Sequence, residues 1–346
     1  MSYQREFEKR INVALIGSGS HSYRNLLPAL NYLPVNLKAV CNRSNIEMGS
    51  AAARQYGCSY YSDTEKMYEK EELDAVILCV SPKMHPVLAA EAFDAGLHVM
   101  MEKPAGYCCE DVENMIARRK DRICVVGFKK AFMPAAEKAV EVVNSPDFGN
   151  LKSILGIYPM SIEKNGREIL ENRLPGNWLN NGCHPISFMV RIGGSVSAVT
   201  VYRGQGGSGG ACILEFANGV LGTFHMGTGP MPMERYQLFG DTWHLDIDNC
   251  SAVTLQRGIS SVYGKTTSYL PEGIDTGAVV WHPQNSQATL ENKALFTQGI
   301  YAEMKYFCDC VLKGRAAEIG SLEFALELMK IHEAALISDG RRIEIS

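Results

Sequence analysis

Between Ile11 and about Val126, short apolar runs alternate strictly with helix-length segments, and this alternation restricts the fold more than any other feature of the chain. The runs are INVALIG, NLKAVC, AVILCV, HVMME and ICVVGF. Each is rich in Val and Ile and apolar throughout, as a strand buried on both faces of a parallel sheet must be. The intervening segments, Tyr23 to Tyr32, Ile46 to Tyr56, Thr64 to Lys70, Pro86 to Ala95 and Glu110 to Lys120, read as helices. Gly57 and Gly96 end two of them, because glycine tolerates the left-handed conformation of a helix C-terminus. Strand and helix in alternation imply βαβ units and a doubly wound sheet.

After Phe128 the texture changes. A helix is expected from about Pro134 to Val143, followed by turn signals at Ser145-Pro146 and Gly149-Asn150. Beyond lie β-type segments, SILGIYPM, SAVTVYRG, CILEFANGVLGTFHM, ERYQLFG, TWHLDI and AVTLQRG, with a hairpin signal at Ala217-Asn218-Gly219-Val220. One helix should interrupt them near Asn181 to Ile192, and two should close the chain, at about Gly299 to Lys313 and Ser321 to Ser338. Gly204 to Gly210 (GQGGSGG) reads as a flexible turn rather than a phosphate cradle. The expected fold is α/β: an N-terminal Rossmann dinucleotide-binding domain over 1–128 and a C-terminal α+β domain with a largely antiparallel open sheet over 129–346.

Composition narrows the partners. With 34 Lys plus Arg against 38 Asp plus Glu, the net charge of −4 argues against a generally basic nucleic-acid surface. The 11 Cys include no C-x-x-C pair, and most sit in apolar runs, which points to reduced thiols and a cytoplasmic protein. The apolar run Ile11 to Ile16 is too short for a signal or membrane segment. No His and carboxylate spacing suits a metal.

Ile16-Gly17-Ser18-Gly19-Ser20-His21-Ser22 follows the first strand and opens the first helix. In a dinucleotide fingerprint the first glycine makes the tight turn, the second lets the backbone approach pyrophosphate, and the helix N-terminus receives the anion. Gly17 and Gly19 meet the first two needs. Ser22 stands where a third glycine is usual. At the end of the second strand, where a carboxylate normally holds the ribose hydroxyls of NAD, the chain has Asn42-Arg43-Ser44. An amide there removes repulsion against a 2′-phosphate, and Arg43 can pair with one, which favours NADP(H). Glu102-Lys103-Pro104 ends the strand HVMM at the sheet edge where ligands bind, so Lys103 can donate to a substrate oxygen.

These motifs, with Ser81-Pro82-Lys83-Met84-His85, Gly127-Phe128-Lys129-Lys130 and Asn180-Asn181-Gly182-Cys183-His184, occur in the order seen in the Gfo/Idh/MocA oxidoreductases, which the chain resembles over essentially its whole length. The resemblance implies a Rossmann domain holding NAD(P) and a second domain whose sheet face serves substrate and oligomer contacts. Lys103 inherits the role of the lysine that binds a substrate hydroxyl and assists proton transfer. The family's D-x-G-x-H segment corresponds to Asn180-x-Gly182-x-His184, so His184 is the expected general base and Asn180 a departure. Ser187 replaces a further aspartate common after the histidine. Without those carboxylates, His184 should stay neutral more readily and be a weaker proton trap.

The resemblance places Gly17, Ser18, Gly19, Ser20, His21, Asn42, Arg43, Ser44, Ser81, Pro82, His85, Glu102, Lys103 and Lys129 at the cofactor. Tyr158, Arg173, Trp178, Asn181, Lys103 and His184 are the expected substrate contacts. It implies an NAD(P)-dependent dehydrogenase or reductase acting on a secondary alcohol of a sugar, sugar derivative or cyclitol, in a homodimer or homotetramer. Two rivals are an NAD-dependent glycosidase that oxidises its sugar transiently and a cofactor-binding regulator without catalysis.

Overall fold

The computed structural model describes residues 7–205, 209–230, 233–259, 262–265, 273, 275–284 and 293–345. Residues 206–208 of the GQGGSGG stretch lie outside them. The first sheet comprises β1 (Ile11–Ile16), β2 (Val35–Cys41), β3 (Ser59–Tyr61), β4 (Ala75–Leu78), β5 (His98–Glu102) and β6 (Cys124–Gly127), in the order β3-β2-β1-β4-β5-β6. Every pairing is parallel. The apolar runs are strands because both faces are covered: Val13, Leu15, Val76, Val99 and Val125 are all fully buried. The unforeseen member is β3, a half-polar edge strand of three residues with no pattern long enough to read. Helices Ile46–Tyr56 and Thr64–Lys70 match expectation, each opened by a side-chain cap, Asn45 and Asp63.

The second sheet has the order β14-β13-β12-β11-β7-β10-β9-β8-β15. Its strands are β7 (Ser153–Pro159), β8 (Val196–Arg203), β9 (Gly210–Phe216), β10 (Leu221–Gly227), β11 (Arg235–Phe239), β12 (His244–Asp248), β13 (Ala252–Gln256), β14 (Val279–Trp281) and β15 (Ile343–Glu344). All neighbours are antiparallel except β7 and β10. The expected hairpin joins β9 to β10, with Gly219 at φ +87° and Gly219 N–H donating to the Phe216 carbonyl at 2.9 Å. The fold is therefore the expected Rossmann-type domain joined to an α+β domain with a mostly antiparallel sheet.

Among the other elements that escaped the sequence are helix Gly166–Asn172, β14 and β15. Each exists through long-range packing. A Cβ on Gly166 would fall 2.1 Å from the Leu336 carbonyl oxygen, so that helix begins where the chain presses against the C-terminal helix Leu322–Ser338. The chain end also returns to the first sheet. Helix Ile300–Lys313 packs on β1, β5 and β6, and Leu322–Ser338 packs on helix Cys109–Arg119.

Two helices open with a wide π turn, Ser22–Leu26 ahead of Leu27–Leu30 and Trp178–Gly182 ahead of Cys183–Gly193. Such turns recur at functional sites. These two flank the crevice described next.

Candidate functional site

The strand order reverses between β1 and β4, and ligands of open parallel sheets bind outside the C-terminal ends of strands at that point. Gly17 occupies it with φ +95°, and a Cβ there would lie 2.2 Å from the Cys79 carbonyl oxygen. At Gly19, by contrast, an added Cβ meets nothing within 4 Å. One glycine serves the turn and the other leaves open space above the helix start, which is the division of labour a pyrophosphate cradle requires. A cavity of about 520 Å³ extends from Gly17-Ser18-Gly19 past Asn42-Arg43-Ser44 to Ser81. The residues present fit a dinucleotide.

Asn42 is already engaged at both ends. Its Nδ2 donates to Ser18 Oγ at 2.7 Å, and its Oδ1 accepts from Asn45 N at 3.2 Å. Arg43 and Ser44 are exposed on the same wall. Asp63 and Glu91 also line the cavity, but Asp63 caps Lys66 N and Glu91 accepts from Thr64 Oγ1. Ser20 and Ser81 are exposed at the mouth, with Pro82 half-buried beside them.

Farther along the sheet edge, His21 Nε2 meets Glu102 Oε1 at 2.9 Å, and the Asn25 amide donates to His21 Nδ1 at 3.1 Å. A donor on Nδ1 leaves the proton on Nε2, facing the carboxylate. His85 is fully buried, with Nδ1 2.8 Å from the Pro104 carbonyl oxygen. The carbonyl can only accept, so Nδ1 carries the proton, and burial holds the ring neutral by pushing its pKa down. His85 thus props the loop behind Lys103 from within the protein.

Lys103 Nζ donates to the backbone carbonyl of Asn180 at 3.0 Å, joining the sheet edge to the π turn of the second domain. The contact uses the main chain of residue 180, so it is indifferent to the replacement of aspartate by asparagine. One turn on, His184 is buried, its Nδ1 without a hydrogen-bond partner. Burial first, then the charges of Lys103, Lys129, Lys130 and His21, hold its pKa well below the ordinary value. Those causes favour the neutral imidazole. Ser187 Oγ donates back to the His184 carbonyl at 2.8 Å and is fully buried. Tyr158, from β7, faces His184 with ring centroids 6.5 Å apart.

Two expected substrate contacts lie elsewhere. Arg173 is ion-paired to Glu110 and Asp111 of helix Cys109–Arg119, where its charge is already used. Trp178 is 2% exposed and packs edge-on against Phe224 in the core, because the apolar ring is worth more buried than on an open wall. Asn181 is exposed, with its amide donating to the Asn177 side chain.

Lys129, an expected cofactor contact, donates through Nζ to Gln298 Oε1 at 2.9 Å. The structure adds groups that the sequence did not single out. The neighbouring Lys130 is buried, with Nζ 2.6 Å from Glu234 Oε2 and 2.7 Å from Cys250 Sγ, while Tyr236 donates to Glu234 Oε1 at 2.9 Å. Glu303 is 1% exposed with an unpartnered Oε2, and burial, reinforced by Glu102, raises its pKa well above the carboxylate range. A signal for Glu303 existed: it falls on the apolar stripe of Ile300, Met304, Phe307 and Cys308, where a carboxyl needs a reason.

A glycine turn at the switch point of a parallel sheet, with a lysine at its edge reaching a histidine-bearing helix of a second domain, defines a dinucleotide-fold protein with its site between two sheets. Residues 11–129, the first domain, match the family model for the Gfo/Idh/MocA oxidoreductases, described as an oxidoreductase family with an NAD-binding Rossmann fold. The chain is 26% identical over 160 residues to the levoglucosan dehydrogenase of Pseudarthrobacter phenanthrenivorans, covering 43% of this chain and 41% of the relative. It is 29% identical over 126 residues to the scyllo-inositol 2-dehydrogenase (NADP(+)) of Bacillus subtilis, covering 36% and 38%. The chain thus spans about two fifths of the length of these curated relatives. A solved levoglucosan dehydrogenase in complex with NADH and levoglucosan superposes with a TM-score of 0.79 at 16% identity, covering 97% of this chain and 100% of that one, a likeness of fold.

Proposed function

We propose that this protein is an NAD(P)-dependent oxidoreductase acting on a secondary alcohol or ketone of a sugar, sugar derivative or cyclitol. The observation that carries the reading is the junction of Lys103 Nζ with the Asn180 carbonyl, one turn from the buried neutral imidazole of His184, at the edge of a dinucleotide crevice. Relatives named as sugar and cyclitol dehydrogenases support it over the glycosidase and regulator alternatives.

The bound nicotinamide supplies the hydride acceptor or donor. The residues of the chain manage the proton. Lys103 holds the reacting oxygen and favours its ionised form, while His184 takes the hydroxyl proton in the oxidation direction and returns it in reduction. Glu102 and His21 hold each other between the cofactor turn and the lysine. Lys103→Ala should retain cofactor binding and lose turnover by about 10²- to 10⁴-fold, the usual worth of a positioned proton-transfer group. Turnover equal to wild type would remove the assigned chemistry.

Three finer points belong to this reading. NADP(H) is the preferred cofactor, because Asn42 is uncharged and Arg43 stands exposed beside it. Paired NADH and NADPH fluorescence titrations of wild type and Arg43→Ala test this, with NADPH expected tighter and selectively weakened by the substitution. The chain is a homodimer or homotetramer, with the outer face of the second sheet, including the hollow around Leu155, Ile157, Arg235 and Gln237, as the contact; sedimentation velocity tests it. The domains divide at 128/129. All 11 cysteines are free, which supports a cytoplasmic setting, and among the described residues no helix is long and apolar enough to cross a membrane.

A further inference from the structure

The groups around His184 carry an imbalance of charge. Lys103 and Lys129 both end on neutral oxygens, the Asn180 carbonyl and the Gln298 amide, and among the described residues neither ammonium comes within 4.0 Å of a carboxylate oxygen. The acids nearby are otherwise committed. Glu102 is on His21, Glu234 is shared by Lys130 and Tyr236, and Glu303 is buried, which pushes its pKa up and disfavours the carboxylate. Positions 180 and 187, on the turn and helix that carry His184, are an amide and a hydroxyl.

This arrangement obstructs its own chemistry for an uncharged substrate. A proton taken by His184 would create an imidazolium in the field of the Lys103, Lys129 and Lys130 ammoniums, the nearby carboxylates of Glu102 and Glu234 being already engaged by His21 and by Lys130 and Tyr236. Like charges in a partly desolvated site repel strongly. A single negative charge on the substrate offsets that cost and gives the idle ammonium of Lys129 a partner. Resting on the oxidoreductase reading above, we propose that the substrate is an acidic sugar of the aldonate or uronate class and that Lys129 receives its carboxylate. Lys103 remains with the reacting oxygen. The carboxylate does the work that an aspartate near His184 would do, so the binding of the correct substrate itself makes the base competent.

The test measures binding separately from turnover. The protein, saturated with oxidised cofactor, is titrated calorimetrically with gluconate, glucuronate, glucose and glucose 6-phosphate. At least one acid should bind tenfold or more tightly than glucose. Lys129→Gln should reduce that preference to within twofold, and Lys129→Arg should restore most of it. Gln298→Glu, which places a carboxylate on an intact Lys129, should erase the preference as well and serves if the lysine variant does not fold. Equal binding of glucose, tightest binding of glucose 6-phosphate, or an equal loss for all sugars in the variants overturns the proposal. An acid preference that depends on Lys129, with no oxidation of any sugar, sinks the oxidoreductase reading and leaves carboxylate recognition standing.

Discussion

At Gly17 the chain leaves β1 through a conformation that L side chains rarely adopt, against a carbonyl 2.2 Å from where a Cβ would be. Gly17→Ala should therefore lower the melting temperature and weaken NAD(P)H binding together. Gly19→Ala has room in the protein and should keep stability within about 0.5 kcal/mol, the usual range of a surface change, while still weakening the dinucleotide. Fluorescence titration beside thermal melts separates the two outcomes. Position 180 yields a second contrast. Lys103 binds the backbone there, so Asn180→Asp should leave that contact in place while adding a carboxylate to the turn that leads to His184. In wild type the His184 pKa is depressed, so the base is lost to protonation only below its ordinary value of about 6.5. An aspartate would favour the imidazolium and move the acid limb of kcat/KM to higher pH. An unmoved limb would mean that His184 is not the titrating base.

Among the elements, helix Leu322–Ser338 carries a buried histidine, His332, with neither ring nitrogen hydrogen-bonded and a pKa pushed down to about 4 by burial. The unfolded chain binds a proton on this residue below about pH 6.5, while the folded chain resists until about pH 4. Between those values the unfolded state holds more protons, so stability falls as pH falls, with a slope approaching about 1.4 kcal/mol per pH unit from this group. His332→Leu should flatten that slope, as read from urea midpoints across the window. The same helix lines a small apolar cavity with Trp178, Leu179 and Ile186, which explains why a charge is unwelcome there. The helices and central strands were legible in the sequence because periodicity and caps are local properties. Helix Gly166–Asn172 and β15 were not, because a glycine against Leu336 and a backbone ladder on β8 decide them.

Across the whole molecule, the two sheets are joined by contacts of unequal weight. Lys130, just beyond β6, is buried on Glu234 beside β11, whereas Arg119–Glu323 and Arg173–Glu110 lie at the surface. Removing one member of a buried pair strands the other charge, so Lys130→Met should cost about 3–5 kcal/mol. Glu323→Ala should cost less than about 1 kcal/mol, since water screens an exposed pair. Equal effects in urea unfolding would show that the Lys130 pair does not hold the domains. The sequence by itself determined the parallel sheet, the glycine turn at its switch point, the placing of Lys103 at a strand end and the mostly antiparallel second sheet, because each rests on neighbours in the chain. Tertiary structure alone decided that Lys103 is held by a main-chain oxygen, that Glu303 lies buried beside the lysines, that Trp178 belongs to the core and that Arg173 serves the domain boundary. Those outcomes depend on groups scores of residues apart meeting at low dielectric, where a charge must find a partner, lose its proton or wait for a ligand.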